Sequence, residues 1–201
     1  MRTIVSLAVL ALGAMPIAAH AATADTAPNT AACAYDSLSA GERQNLQART
    51  FDRMMRGADE EANTPSRSAI DTVIANARAN CLQRYGWSPA LSGLSHEFAA
   101  LSLARDSFRR MLTDQGVSVE ALEAYHRAHR GEFGRELTAP QQAAFTAELQ
   151  ATRWAANDPS DSAIEVAVGY LRILNDLDRC DHVFAVALAA NQSRPVQTAA
   201  R

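Results

Sequence analysis

Two stretches of the chain are near copies of each other. Residues 63–74 read NTPSRSAIDTVI, and residues 157–168 read NDPSDSAIEVAV. In each, Pro and Ser precede an apolar run at helical spacing, and Pro suits the first helical turn because its missing N–H has no intrahelical partner there. Each stretch therefore predicts a helix start, and the pair predicts a duplicated helical unit.

Two further matches extend the repeat. LSAGE at 38–42 corresponds to LTAPQ at 137–141, and both have the spacing of a capping box, in which Ser or Thr and a following Glu or Gln bond the first backbone N–H groups. HEFA at 96–99 corresponds to HVFA at 182–185. The order predicts a capping-box helix, a Pro-capped helix and a His-x-Phe-Ala helix in each copy. The alternative is chance similarity between helix starts in an Ala-rich chain.

Composition favours helices throughout. The 201 residues include only 9 Gly and 7 Pro, and aromatic residues make up 6%; Ala is abundant and has the best helix propensity. We therefore predict an all-α single domain over 38–191, with six or seven helices. Two related helical hairpins, in repeat units 38–114 and 137–191, pack around a long central helix at 88–114. The predicted helices begin near residues 39, 64, 88, 118, 138, 158 and 180.

The first residues resemble an export signal. Arg2 precedes an apolar run over 4–14, and small residues flank His20. A short apolar run after a positive residue is typical of a signal peptide, here 1–21 with cleavage after Ala21. A membrane anchor is the alternative, but spanning a bilayer takes about 20 apolar residues. We expect a periplasmic or secreted protein with no membrane span, a flexible N-terminal tail at 22–37 and a disordered tail at 192–201.

Three cysteines in an exported chain leave one unpaired. If the first two long helices form an antiparallel hairpin, Cys33 and Cys81 lie at the same end of it. The predicted disulfide is therefore Cys33–Cys81, with Cys81–Cys180 as the alternative. We expect the remaining cysteine to be buried and inert.

All 19 basic residues are Arg, and the formal net charge is −3. Without Lys there is no Walker A phosphate loop, lysine Schiff base or Ser-Lys nucleophile pair. A mildly acidic chain also lacks the positive footprint of a nucleic-acid-binding domain. Two basic edges, each interpreted as a solvated face or an anion-binding surface, are Arg105, Arg109, Arg110 and Arg127, Arg130, Arg135.

Two groups of residues are candidate metal ligands. The repeat makes His96 and His182 equivalent positions, and each has an acidic neighbour, Glu97 or Asp181. Two His and two carboxylates suit Zn or Fe. Each His also lies near a predicted helix start, where a capping role is ordinary.

The second candidate is Glu123-x-x-His126, which is half of a ferritin-like di-metal pattern. No second Glu-x-x-His occurs in the sequence, so a di-iron centre lacks half of its ligands. The alternative is a helix with a solvated polar edge.

No nucleophile elbow, haem-attachment motif or Gly-rich phosphate loop is present in the sequence. We therefore predict an exported helical binding or interaction protein without catalytic activity and without a cofactor, whose partner is a protein or small molecule. The alternative is a metal-binding protein or metal-dependent enzyme that uses the His and carboxylate residues above.

Overall fold

The computed structural model describes residues 28–56, 60–130, 137–151 and 160–192, and the elements of secondary structure in this part of the chain are helices, with no strand. The prediction of an all-α single domain with six or seven helices is confirmed, since seven helices are described. The predicted signal peptide and all but the first residue of the predicted C-terminal tail lie outside the described residues. The helices are α1 (Cys33–Asp36), α2 (Ala40–Arg56), α3 (Glu60–Tyr85), α4 (Pro89–Asp114), α5 (Val119–Ala128), α6 (Ala139–Ala151) and α7 (Asp161–Gln192).

The long helix α4 lies at the centre of the fold, as predicted. It packs against α1, α2, α3 and α5, and most extensively against α7. Ser88 caps its start, since the Ser88 hydroxyl accepts the Leu91 N–H at 3.3 Å. Gly86 (φ 61°) and Gly116 (φ 72°) adopt the left-handed conformation that ends α3 and α4.

Both predicted capping boxes are present. The Ser39 N–H donates to Glu42 Oε2 at 2.8 Å, and the Glu42 N–H donates back to Ser39 Oγ at 3.2 Å. The Thr138 N–H donates to Gln141 Oε1 at 2.9 Å. These local bonds fix the starts of α2 and α6.

The flexible tail predicted at 22–37 is wrong from residue 28 onward. Ala31, Cys33 and Ala34 are completely buried. The Ala34 N–H donates to Ser95 Oγ at 3.2 Å, and the Ser95 hydroxyl donates to the Ala31 carbonyl at 2.9 Å. The small side chains that made this segment look featureless let its backbone lie directly against α4.

The disulfide joins Cys33 of α1 to Cys81 near the end of α3, with Cα atoms 6.2 Å apart. The predicted pairing is confirmed and the Cys81–Cys180 alternative is wrong. Cys180 is a buried thiol that donates to the Leu94 carbonyl at 3.3 Å. Burial raises the pKa of Cys180 to about 11, so the thiolate is scarce at neutral pH.

The two repeated stretches differ in structure. α3 begins at Glu60, so Pro65 lies inside the helix, and the start predicted at residue 64 is wrong. In the second copy Ser160 is a true cap, since its hydroxyl accepts the Ala163 N–H at 3.1 Å. Pro65 lies near the helix start, where Pro removes a single backbone hydrogen bond, so the helix continues through it.

α7 is one continuous helix of 32 residues, so the helix start predicted near residue 180 is wrong. No Gly or Pro lies between Gly169 and the helix end at Gln192, so no residue there breaks the helix. His182 therefore lies on the same helix as Ile164, and the predicted three-helix order is absent from the second copy. The paired hairpins themselves stay a prediction.

None of the described helices is long and apolar enough to cross a membrane.

Candidate functional site

A cleft of about 360 Å³ lies between α4, α5 and α7, which are the central helix and two helices after it. We call it the α4–α5–α7 cleft. Its lining combines apolar side chains with both signs of charge. The lining residues are Phe98, Arg105, Glu123, His126, Arg127, Arg130, Leu174, Leu177, Asp178 and Asp181.

Local sequence places α5 over α7. Ser118 caps α5 by accepting the Ala121 N–H at 3.2 Å, and Val119, Leu122 and Tyr125 are buried. α5 and α7 run in the same direction, because residues later in α5 bond residues later in α7. The contacts are Glu123 with Tyr170, His126 with Asn175, and Arg130 with Asp178.

α4 runs the opposite way to α7. Leu94 contacts Cys180, and Glu97 contacts Arg179. Farther along α4, Phe108 lies against Gly169 of α7. By this register Phe98 lies near Asp178, and Arg105 lies more than one helical turn closer to the start of α7.

His126 lies at the bottom of the cleft and is only 4% exposed. Its Nε2 hydrogen-bonds Asn175 Oδ1 at 2.9 Å and lies 3.9 Å from Asp178 Oδ2. Among the described residues, the buried Asn175 Nδ2 has no hydrogen-bond partner. Asn175 therefore positions the His126 imidazole through its Oδ1, and its Nδ2 group remains available as a hydrogen-bond donor.

Glu123 is held from two sides. The Tyr170 hydroxyl donates to Glu123 Oε1 at 2.8 Å, and the Arg109 guanidinium lies 3.7 Å from the same oxygen. Burial, together with this hydrogen bond, raises the pKa of Tyr170 well above its usual value. Tyr170 therefore remains a neutral donor, and Glu123 Oε1 accepts its hydrogen bond.

Arg105 is the most constrained cation of the cleft. Its Nε and one terminal nitrogen donate to Asp106 Oδ1 at 2.9 and 2.7 Å, and its guanidinium lies 5.7 Å from the Tyr35 ring centre. Burial lowers the pKa of Arg105, but Asp106, together with Tyr35 and Tyr170, more than offsets this effect and raises the pKa. The guanidinium has five N–H groups, so three remain beyond those bonded to Asp106.

Four other charged side chains line the cleft: Arg127, Arg130, Asp178 and Asp181. Arg130 Nε lies 2.7 Å from Asp178 Oδ2 in an ion pair between the turn after α5 and α7. Arg127 and Asp181 are exposed, and neither forms an ion pair with a described residue.

The predicted metal ligands separate into two groups. Glu123, His126 and Asp181 line the cleft. His96 instead lies with its Nε2 3.7 Å from Asp71 of α3, and Glu97 pairs with Arg179 at 3.0 Å. His182 is exposed on α7. Within the described ranges, no three or more His, Cys, Asp or Glu side chains are arranged to hold a metal ion.

The sequence signal for the cleft was partial. The two basic edges were visible in the sequence, but their meeting at Arg105 and Arg127 depends on how α5 packs beside α4. Leu174 and Leu177 follow the apolar spacing of a packed helix, which does not distinguish a core residue from a residue that lines a cleft. Asp178 carried no signal, since the acidic segment 176–181 resembles any solvated helix face.

Comparison of the chain with known protein families, curated proteins and solved structures finds no match.

Proposed function

We propose that the protein is an extracytoplasmic binding protein that holds a small ligand in the α4–α5–α7 cleft and performs no reaction of its own. The observation that carries this proposal is the cleft itself. Segments around residues 98–105, 123–130 and 174–181 come together to place an apolar surface beside charged groups of both signs. A few polar groups on an apolar lining is the usual composition of a small-molecule site.

The volume and the hydrogen bonding support binding over catalysis. About 360 Å³ is near the small end of ligand pockets, which begin at roughly 300 Å³. His126 and Glu123 are the acid–base candidates, yet Asn175 and Tyr170 hold them in structural hydrogen bonds. Groups held in this way orient a ligand.

The disulfide supports a location outside the cytoplasm, because structural disulfides persist in oxidising compartments. Together with the signal peptide predicted at 1–21, it supports export to the periplasm or the medium. Expression of the full chain in a bacterium is expected to give a mature protein that begins at Ala22 in the periplasmic or culture fraction. N-terminal sequencing checks this, and an uncleaved cytoplasmic product contradicts it.

Binding in the cleft is tested with a matched pair of α7 variants. Leu174→Arg places a large charged side chain in the cleft. Val186→Arg introduces the same side chain at a position of α7 that is 58% exposed. Thermal unfolding is measured with a panel of small metabolites. A ligand at about a hundred times its Kd raises Tm by about 5–10 °C.

We expect at least one compound to stabilise the wild type and Val186→Arg but not Leu174→Arg. Circular dichroism shows whether Leu174→Arg has kept its helices. A compound that stabilises both variants equally binds elsewhere, and a panel with no effect on the wild type contradicts the proposal.

The alternative is a metal-binding protein, favoured by the approach of His126 to Asp178 at 3.9 Å. Metal analysis of protein purified from its native compartment separates the two. Stoichiometric zinc or iron that is lost in His126→Ala favours the alternative.

A further inference from the structure

The charges of the cleft largely cancel in pairs. Asp106 neutralises Arg105, and Asp178 neutralises Arg130. Glu123 is matched by Arg109 from α4. Of the charged groups that line the cleft, the two that form no ion pair within the described chain are one cation, Arg127, and one anion, Asp181.

These two groups are separated along the cleft. Because α5 and α7 run in parallel, Arg127 lies between the level of Asn175 and that of Asp178. Asp181 lies about five residues farther along α7, or ~8 Å at the helical rise of 1.5 Å per residue. Arg105 lies on the same side as Arg127, since α4 runs antiparallel to α7. The cation without an ion pair therefore lies nearer one end of the cleft, on the side of Arg105, and the anion without an ion pair lies nearer the other end.

The wall between these two groups includes an apolar surface beside Asp178. Leu174 and Leu177 lie one helical turn apart on α7, and Phe98 of α4 lines the same cleft. A ligand with charged ends and a hydrocarbon middle would bury that middle against these side chains.

We propose that the ligand is a small extended zwitterion. Its carboxylate is bound by Arg127, with the remaining N–H groups of Arg105 nearby, and its ammonium group is bound by Asp181. This inference depends on the proposed function, since it names the chemical class of ligand for the same cleft.

The test uses four probes in isothermal titration calorimetry of the full mature chain. 6-Aminohexanoate has both charges at the ends of an aliphatic chain, hexanoate and hexylamine have one charge each, and glycine has both charges close together. We expect 6-aminohexanoate to bind the wild type at least about tenfold more tightly than each of the other three, because each charge-assisted contact contributes to affinity.

Two variants that each remove one charge test which residue binds the carboxylate of the ligand and which binds its ammonium group. Arg127→Gln should weaken 6-aminohexanoate to the level of hexylamine, and Asp181→Asn should weaken it to the level of hexanoate. Matched controls remove exposed charges away from the cleft. Arg67→Gln on α3 and Asp114→Asn at the end of α4 should leave binding unchanged.

Several results would overturn the inference. Hexanoate or hexylamine binding as tightly as 6-aminohexanoate would show a site for a single charge. Equal loss in the control variants would show a general effect of charge, and failure of every probe at millimolar concentration would exclude this ligand class. If a metabolite of another class binds the wild type and Val186→Arg but not Leu174→Arg, the proposed function is supported. The proposal that the ligand is a zwitterion is then wrong.

Discussion

At the scale of single residues, Asp106 accepts hydrogen bonds from three side chains. Its Oδ2 accepts the Tyr35 hydroxyl of α1 and the Gln47 amide of α2, and its Oδ1 accepts Arg105. The Asp106 side chain is only 14% exposed, and these hydrogen bonds offset the free-energy cost of removing its carboxylate from water. These bonds connect α1 to a residue of the cleft.

The first prediction concerns the titration of Tyr35. Burial, then the hydrogen bond to Asp106, raises the pKa of Tyr35 from 10.0 to about 12. A raised folded pKa means that the neutral phenol stabilises the native state. This contribution is complete below pH 10 and is lost as the pH rises through about 12.

We expect the free energy of unfolding to fall over that interval. Phenolate absorbance of the wild type minus that of Tyr35→Phe should show one step near pH 12. Asp106→Asn should move the step to lower pH. A Tyr35 step near pH 10 in the folded wild type would contradict the described contact.

At the scale of helices, the crossing of α4 and α7 depends on a glycine. A Cβ at Gly169 of α7 would lie 2.7 Å from Phe108 Cε1 of α4, well inside van der Waals contact. Gly93 is a helical glycine of α4 with no atom within 4 Å of the equivalent position. Alanine substitutions at these two glycines therefore distinguish the effect of helix propensity on stability from the effect of packing.

The second prediction is that alanine has opposite effects at these two positions. Gly93→Ala should raise the free energy of unfolding by about 0.5–1 kcal/mol through helix propensity. Gly169→Ala should lower it by about 1–2 kcal/mol, because displacing the Phe108 ring outweighs the same gain. Urea denaturation measures both, and stabilisation by Gly169→Ala would show that the crossing has room for a methyl group.

At the scale of the whole molecule, α4 joins three hydrophobic clusters into one core. Leu91 belongs to the cluster around Trp87 and Phe184. Ala99 and Leu103 belong to the cluster with α1, α2 and α3, and Leu112 to the cluster with α5, α6 and α7. Because one rigid helix contributes to all three clusters, we expect them to unfold together.

The third prediction is therefore that opening the disulfide destabilises the whole domain. It closes a sequence separation of 48 residues, which corresponds to about 3–4 kcal/mol. Cys33→Ala/Cys81→Ala should lower the free energy of unfolding by this amount. Circular dichroism and the fluorescence of Trp87, in a background with Trp154→Phe, should report one shared transition.

The matched control for this variant is Cys180→Ala, which removes a buried cysteine without opening a covalent link. It should cost clearly less than the double variant. Separate transitions for fluorescence and circular dichroism would show that the α1 region unfolds independently of the rest.

The features that could be predicted from the sequence are those that depend on short-range interactions. The all-α class, the long helix at 88–114 and both capping boxes follow from side chains that act within one or two helical turns. The Cys33–Cys81 pairing followed from a hairpin argument that needs only two helix lengths. Such interactions are readable because the partners lie a few residues apart or at the ends of neighbouring helices.

The helix starts in the repeated motif and the contacts of the cleft depend instead on tertiary packing. Pro65 and Ser160 occur in the same motif, yet one lies inside a helix and the other caps one, because the preceding residues and the packing differ. Residues of the cleft meet across separations such as 49 residues for His126 and Asn175. Which polar side chains face each other depends on the angle and register at which α4, α5 and α7 cross, and helical periodicity alone does not specify either.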